Sequence, residues 1–105
     1  HMELPVVSEK GKFVVISDIE LNKESMQEFR QWFIESNKII SKFDGFIARR
    51  LLESQDGKHR IMVVFSDRDS FAKMHQTQEH ATIHSQAVKF MARSPMPTFY
   101  SVVAE

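Results

Sequence analysis

Three of the five histidines lie close together in the last third of the chain, where they are the side chains best suited to chemistry. His80 and His84 are four residues apart in a helical pattern, so they share one face of the predicted helix, and His75 precedes them. Apolar residues such as Ile83 and Ala87 fall on the same face. We therefore expect both imidazoles to point inward or to lie at the edge of a cleft, where a neutral imidazole can accept a proton or bind a metal.

The spacing of His80 and His84 also raises the question of zinc, because imidazoles at positions i and i+4 can bind one metal ion. No acidic residue occupies the place that the helical metalloprotease motif requires, and we predict no metal site there. The chain has no cysteine, which excludes disulfides, thiolate catalysis, iron–sulfur clusters and cysteine-bound zinc.

The charge balance argues against nucleic acid and anionic membranes as partners. Fourteen lysines and arginines match fourteen aspartates and glutamates, and no run of like charge is longer than Arg49-Arg50. Apolar stretches such as Ile61 to Phe65 are far shorter than the roughly 20 residues that span a bilayer. We predict a cytoplasmic protein whose partners are small apolar ligands or other proteins.

The hydrophobic pattern predicts one α+β domain over residues 12–103, preceded by a tail of residues 1–11 in which His1 is interpreted as a cloning scar. The expected order is strand, helix, strand, strand, helices, strand, which is the ferredoxin-like β-α-β-β-α-β topology with a four-stranded antiparallel sheet and helices on one face. The predicted strands span 12–21, 46–53, 59–65 and 97–103, and the predicted helices span 23–43, a short segment around Phe71 and Met74, and 78–91.

Three of these strands are apolar on both faces. In the first strand Phe13 and Val15 alternate with Val14 and Ile16, and the third and fourth strands repeat this pattern. If the helices cover one face, the other face must remain apolar and open, and open apolar patches usually mark an interface. We therefore predict a homodimer that forms through the open face of the sheet. The alternative is that a few exposed valines carry no function.

Several segments together resemble the antibiotic biosynthesis monooxygenase (ABM) superfamily. They are Gly45-Phe46 at the start of strand two, Ser66-Asp67 with Phe71, the segment 77–80, the segment 85–88 and the terminal strand 97–103. The resemblance runs from about Lys12 to Val103. Members of this superfamily are dimeric α/β barrels with a ligand cleft between the sheet and the helices of each protomer. Some oxygenate quinols or polyketide-like aromatics without a cofactor, some degrade haem, and some have no established activity.

The first of these activities implies an aromatic-lined pocket and no metal or flavin, since the substrate itself activates oxygen. We assign the polar, catalytic positions to His84 and Ser17. Arg49 and Arg50 must point to opposite faces of strand two, and we assign Arg50 to the ligand. The remaining candidates for substrate binding are aromatic: Trp32, Phe33, Phe65, Phe71 and Phe90.

Two alternatives stay open. In haem-degrading relatives a histidine at the position of His84 ligates the iron, so the resemblance also permits haem as a cofactor with His84 as axial ligand. This chain departs from those relatives at two positions, with Phe65 in place of a tryptophan and Ser17 in place of an asparagine. The other alternative is a dimeric ligand-binding protein without enzymatic activity.

Overall fold

The computed structural model describes residues 12–105, so the predicted tail of residues 1–11 lies outside the described part of the chain. The strands are β1 (Phe13–Ile19), β2 (Phe46–Glu53), β3 (His59–Phe65) and β4 (Met96–Ser101). The helices are α1 (Met26–Ile40), α2 (Arg68–His75) and α3 (Gln78–Ala87), with short 3-10 turns at Lys23–Ser25 and Val88–Phe90. Within residues 12–105, no helix has the length and hydrophobicity needed to cross a membrane.

The four strands form one antiparallel sheet in the order β2-β3-β1-β4. Residues that pair across an antiparallel sheet point to the same face. Because Val15 pairs with Val63 and Phe99, these three side chains lie on one face, which the helices cover. Val14, Ile16, Met62 and Val64 lie on the other face, which we call the open face.

The helices begin and end where local chemistry requires it. The buried residues of α1 are Phe29, Phe33, Ser36 and Ile40, whose spacing of four, three and four places them on one face. The side chain of Asp67 caps α2 by accepting a hydrogen bond from the Ser70 backbone N–H, and Thr77 caps α3 in the same way.

The predicted fold is confirmed, and the bounds of β2 and β3 match the prediction residue for residue. The largest differences lie at helix ends. A 3-10 turn precedes α1, where Asn22 makes no capping hydrogen bond through its side chain, and α3 ends at Ala87 rather than at Met91. Met91 instead forms a bridge with Leu21, which holds the end of the helical segment against the chain that follows β1.

The core is divided into two clusters. One contains Phe29, Phe33 and Ala87, and the other contains Phe65 and Ile83. The Trp32 ring packs against both clusters. Each cluster has one fully buried phenylalanine, Phe29 in the first and Phe65 in the second.

Two glycines adopt the same left-handed backbone conformation in different surroundings. Gly45 and Gly57 both have φ of 83°. A Cβ atom at Gly45 would lie 2.5 Å from the Ser70 Cβ of α2, whereas nothing lies within 4 Å of a Cβ atom at Gly57. A residue other than glycine would therefore suffer the same backbone strain at either position. Only at Gly45 would its Cβ atom also collide with α2.

Comparison of Gly45→Ala with Gly57→Ala will separate these two effects. We expect Gly57→Ala to lower the free energy of unfolding by about 1–2 kcal/mol, which is the cost of a left-handed non-glycine residue. Gly45→Ala should cost about 1–3 kcal/mol more, because α2 must also shift. Urea denaturation measures both values, and equal losses would contradict the role given to Ser70.

Candidate functional site

A cavity of about 210 Å³ lies between the sheet and the helices, bordered by residues of both core clusters. Its floor includes two rows of paired residues that cross the strands. One row runs from Arg49 on β2 through Val63 and Val15 to Phe99 on β4. Because neighbouring strands are ~4.8 Å apart, Arg49 and Phe99 are separated by roughly 14 Å across the sheet.

The second row begins at Ile61 and continues through Ser17 to Pro97. The middle of the floor is therefore apolar except for the Ser17 hydroxyl group. The side chain of Ser17 makes no hydrogen bond within residues 12–105 and remains free to bind a ligand.

Three imidazoles line the opposite wall of the cavity. The ring centroids of His75 and His80 are 4.3 Å apart, and those of His80 and His84 are 6.3 Å apart with nearly parallel planes. His75 and His84 are exposed and His80 is half-buried, so His80 is the innermost of the three. The series joins the interior of the cavity to solvent.

His80 is held in its neutral form. Burial, followed by the charges of His75, His84 and Arg49, lowers the pKa of His80 from 6.5 to about 4. At neutral pH its imidazole therefore has one nitrogen that accepts a hydrogen bond and one that donates.

Arg49 extends from β2 beneath helix α1. Its Nη1 donates hydrogen bonds to Ser36 Oγ at 2.8 Å and to Asn37 Oδ1 at 2.6 Å, with a longer bond to the Phe33 carbonyl at 3.5 Å. The guanidinium carbon lies 4.1 Å from the centroid of the Phe33 ring and 5.7 Å from that of Trp32, within the range of cation–π attraction. Burial lowers the pKa of Arg49 to about 10, so this side chain is still charged at neutral pH.

A β-bulge determines which of the two neighbouring arginines reaches the cavity. Phe46 pairs with Phe65 but Ala48 pairs with Val64, so Ile47 is an extra residue in β2. In a regular strand of the same sequence, Phe46, Ala48 and Arg50 would all point to the helix-covered face. The bulge shifts the alternation by one residue, so Arg49 points to that face instead. The structure thus places Arg50, our predicted ligand contact, on the open face, where it pairs across the sheet with Met62.

The other predicted site residues separate into two groups. His84, Ser17, Trp32 and Phe71 line the cavity together. Phe33 and Phe65 are buried in the core, and Phe90 packs against Phe29 and Trp32, so none of these three lines the cavity. Periodicity alone cannot separate a phenylalanine that fills a core from one that borders a cavity, because both point inward.

Sequence reasoning did not assign Phe99 to the site. Phe99 lines the cavity while remaining 56% exposed, and its ring stacks on Phe13 at a centroid distance of 6.0 Å. The alternation of β4 groups it with Pro97, but only the pairing with Val15 shows that this face belongs to the cavity. Within residues 12–105, no three histidine, aspartate or glutamate side chains are arranged to bind a metal ion.

The depressed pKa of His80 predicts a specific loss of stability in acid. The unfolded chain protonates His80 near its ordinary pKa of 6.5, whereas the folded chain resists protonation until about pH 4. Between these values the unfolded state binds more protons, so stability falls as the pH decreases. Urea denaturation at pH 7 and pH 4.5 should show a smaller acid loss for His80→Gln than for the unmodified protein. Equal losses would contradict the burial of a neutral His80.

The family model for antibiotic biosynthesis monooxygenase matches residues 12–86. No curated protein sequence matches the chain. Among solved structures, SnoaB, a cofactor-independent oxygenase from Streptomyces nogalater, is similar with a TM-score of 0.79 and 12% identity, and the match covers 90% of this chain and 96% of SnoaB.

Two further structures share the fold. Rv0793 from Mycobacterium tuberculosis matches with a TM-score of 0.78 and 16% identity over 90% of this chain and 98% of that protein. A protein from Nitrosomonas europaea that bears the name antibiotic biosynthesis monooxygenase matches with a TM-score of 0.80 and 14% identity. The match covers 93% of this chain and 96% of that protein. At these identities the structural matches establish the fold. The family model matches well over half of the sequence, and the chain therefore belongs to the antibiotic biosynthesis monooxygenase family.

Proposed function

We propose that the protein is a monooxygenase that acts on a small aromatic or quinol-like molecule without a metal or flavin. The observation that carries this proposal is the cavity between sheet and helices, which combines an apolar floor with imidazoles on the opposite wall. Such a site suits an aromatic ring with a hydroxyl group. Family membership and the likeness to SnoaB, a cofactor-independent oxygenase, support the same activity.

The reaction balances without a separate electron donor when the substrate is a quinol. One atom of O₂ enters the ring as a hydroxyl group, the ring becomes a quinone, and the other oxygen atom leaves with two hydrogens as water. All four electrons that reduce O₂ come from the quinol. The protein must therefore bind the ring, accept a proton from it and limit the access of water.

The residues lining the cavity suit these tasks. The exposed His84 is the proposed proton acceptor, because it borders the cavity and can release the proton to solvent. Neutral His80 accepts a hydrogen bond from a substrate hydroxyl group, and Ser17 donates or accepts one on the floor. Trp32 and Phe71 contact the ring.

The alternative of haem with His84 as axial ligand agrees less well with the geometry. The cavity of about 210 Å³ lies below the ~300–1,000 Å³ typical of pockets for drug-sized ligands, and haem is larger than most such ligands. The His84 ring also lies parallel to the ring of His80 instead of standing alone over an open space. The residues present therefore do not fit haem.

We further propose that two copies pair through the open face of the sheet. Its central side chains, Val14, Ile16, Met62 and Val64, are apolar and only partly buried within one chain. Towards β4 the face continues with Met96, 54% exposed, and Tyr100, 47% exposed. A second copy would cover this surface and leave the helix-covered cavity accessible.

Oxygen uptake with a panel of quinols and hydroxylated aromatics tests the activity. We expect one O₂ consumed per substrate, no hydrogen peroxide, and one ¹⁸O atom from ¹⁸O₂ in the product. His84→Ala should lower kcat by ~10²–10⁴-fold, the usual contribution of a general base. Ser17→Ala should lower the rate less, because a single neutral hydrogen bond contributes about 0.5–1.5 kcal/mol.

Thr82→Ala is the matched control, because Thr82 is an exposed residue on α3 that does not border the cavity. Its activity should equal that of the unmodified protein. No uptake across the panel would contradict the proposed enzyme and favour a ligand-binding protein without activity.

Sedimentation tests the dimer. At micromolar concentration we expect the mass of two chains, and Ile16→Asp should give the mass of one, because it places a charge at the centre of the open face. Glu28→Gln, on the exposed surface of α1, should remain dimeric. A single-chain mass for the unmodified protein would overturn the proposed pairing.

A further inference from the structure

Arg49 carries a charge that no acidic group balances. Within residues 12–105, no carboxylate lies within ion-pair distance of its guanidinium. Its hydrogen-bond acceptors, Ser36, Asn37 and the Phe33 carbonyl, are all neutral. A partly buried cation without a counter-ion is unfavourable, and an anion placed beside it is correspondingly stabilised.

The hydrogen bonds of Arg49 are also one-sided. All three contacts are made by Nη1, while a guanidinium has five N–H groups distributed over Nη1, Nη2 and Nε. Within the described residues Nη2 and Nε have no acceptor, yet no fully buried side-chain nitrogen or oxygen there lacks a partner. Neither atom is therefore fully buried. Arg49 borders the cavity and also a second pocket at the edge of β2, beside Asn37 and Lys38, and of the two only the cavity joins Arg49 to an apolar floor.

The rest of the cavity offers no competing charge. Apart from the histidines, Arg49 is the one ionisable side chain among its described lining residues, and no aspartate or glutamate borders it. An apolar floor begins at once beside Arg49, with Val63 as its neighbour across the strands. The site is thus built for a ligand with one anionic oxygen attached to an apolar ring.

We propose that Arg49 is the oxyanion-binding residue of this cavity and that its ligand is a hydroxylated aromatic molecule bound as the phenolate. The phenolate oxygen accepts hydrogen bonds from Nη2 and Nε, and the ring lies along the apolar floor towards Phe99. This assignment rests on the proposed function and specifies its substrate class and the ionisation state in which the substrate binds.

The ionisation has a direct chemical consequence. The O–H bond breaks, its electron pair stays on the oxygen, and the proton passes to His84, which releases it to solvent. A phenolate gives up electrons to O₂ more readily than the neutral phenol does. Arg49 therefore selects the reactive form of the substrate before oxygen arrives, and neutral His80 adds no second positive charge to the wall.

The proposal can be tested by binding alone, with no turnover. The probe is 4-nitrophenol, whose anion is yellow and whose neutral form is not. Added protein should shift its ionisation to lower pH by at least one unit, which means that the anion binds about tenfold or more tightly than the neutral phenol. The methyl ether 4-nitroanisole cannot ionise, and its binding is measured by quenching of Trp32, the single tryptophan of the chain.

The variants isolate the charge. Arg49→Gln should abolish the shift and leave the affinity for 4-nitroanisole within about twofold. Arg49→Lys, which keeps the charge but loses the planar fork, should retain part of the shift. Arg50→Gln removes the same charge from the adjacent residue, which lies on the other face of the sheet. This control variant should retain the full pKa shift of 4-nitrophenol.

Two results would overturn the proposal. One is a pKa of 4-nitrophenol that added protein does not lower, whether because the probe does not bind at millimolar concentration or because both of its forms bind equally. The other is an Arg49-dependent affinity for 4-nitrobenzoate without a shift for 4-nitrophenol, which would assign the site to carboxylates. The unmodified protein decides these points even if Arg49→Gln fails to fold. Oxygen uptake is an independent test. A protein that lowers the pKa of 4-nitrophenol but consumes no oxygen would contradict the proposed oxygenase activity and support the phenolate-binding site.

Discussion

The β-bulge at Ile47 determines which side chain carries charge into the space between the sheet and the helices. One extra residue in β2 reverses the alternation that follows Phe46, so Arg49 enters the cavity and Arg50 faces away from it. The row of paired residues from Arg49 to Phe99 therefore has a charged residue at one end and apolar residues along the rest. The position of the arginine charge in the cavity depends on this local irregularity, because the other described lining residues are apolar except for Ser17 and the three histidines.

Helix α1 stabilises the partly buried guanidinium of Arg49. Ser36 and Asn37 supply acceptors for one nitrogen, and the rings of Phe33 and Trp32 supply cation–π attraction. Asn37 also donates from Nδ2 to the Arg49 carbonyl, which links α1 to the strand itself. These neutral contacts orient the guanidinium without cancelling its charge. Phe33, which we had predicted to touch the ligand, contributes instead by supporting the residue that borders the cavity.

The two faces of the sheet have different surroundings. The face covered by helices forms the cavity floor, while the open face presents Val14, Ile16, Met62 and Val64. A strand that is apolar on both sides would be a liability in a protein that works alone, because exposed apolar surface favours association. In the proposed dimer this surface becomes the interface, so assembly and ligand binding use opposite sides of the same four strands.

The sequence by itself determined the order of elements, the bounds of β2 and β3, the caps at Asp67 and Thr77, and the family, because these follow from local periodicity and from turn and capping residues. It also brought His84, Ser17, Trp32 and Phe71 to one cavity. Only the tertiary structure decided that Arg49 and not Arg50 borders that cavity, and that Phe99 does while Phe65 does not. Those outcomes depend on a bulge and on cross-strand register. Both are set by how strands distant in sequence pair, and neither produces a hydrophobic periodicity that can be read from the sequence.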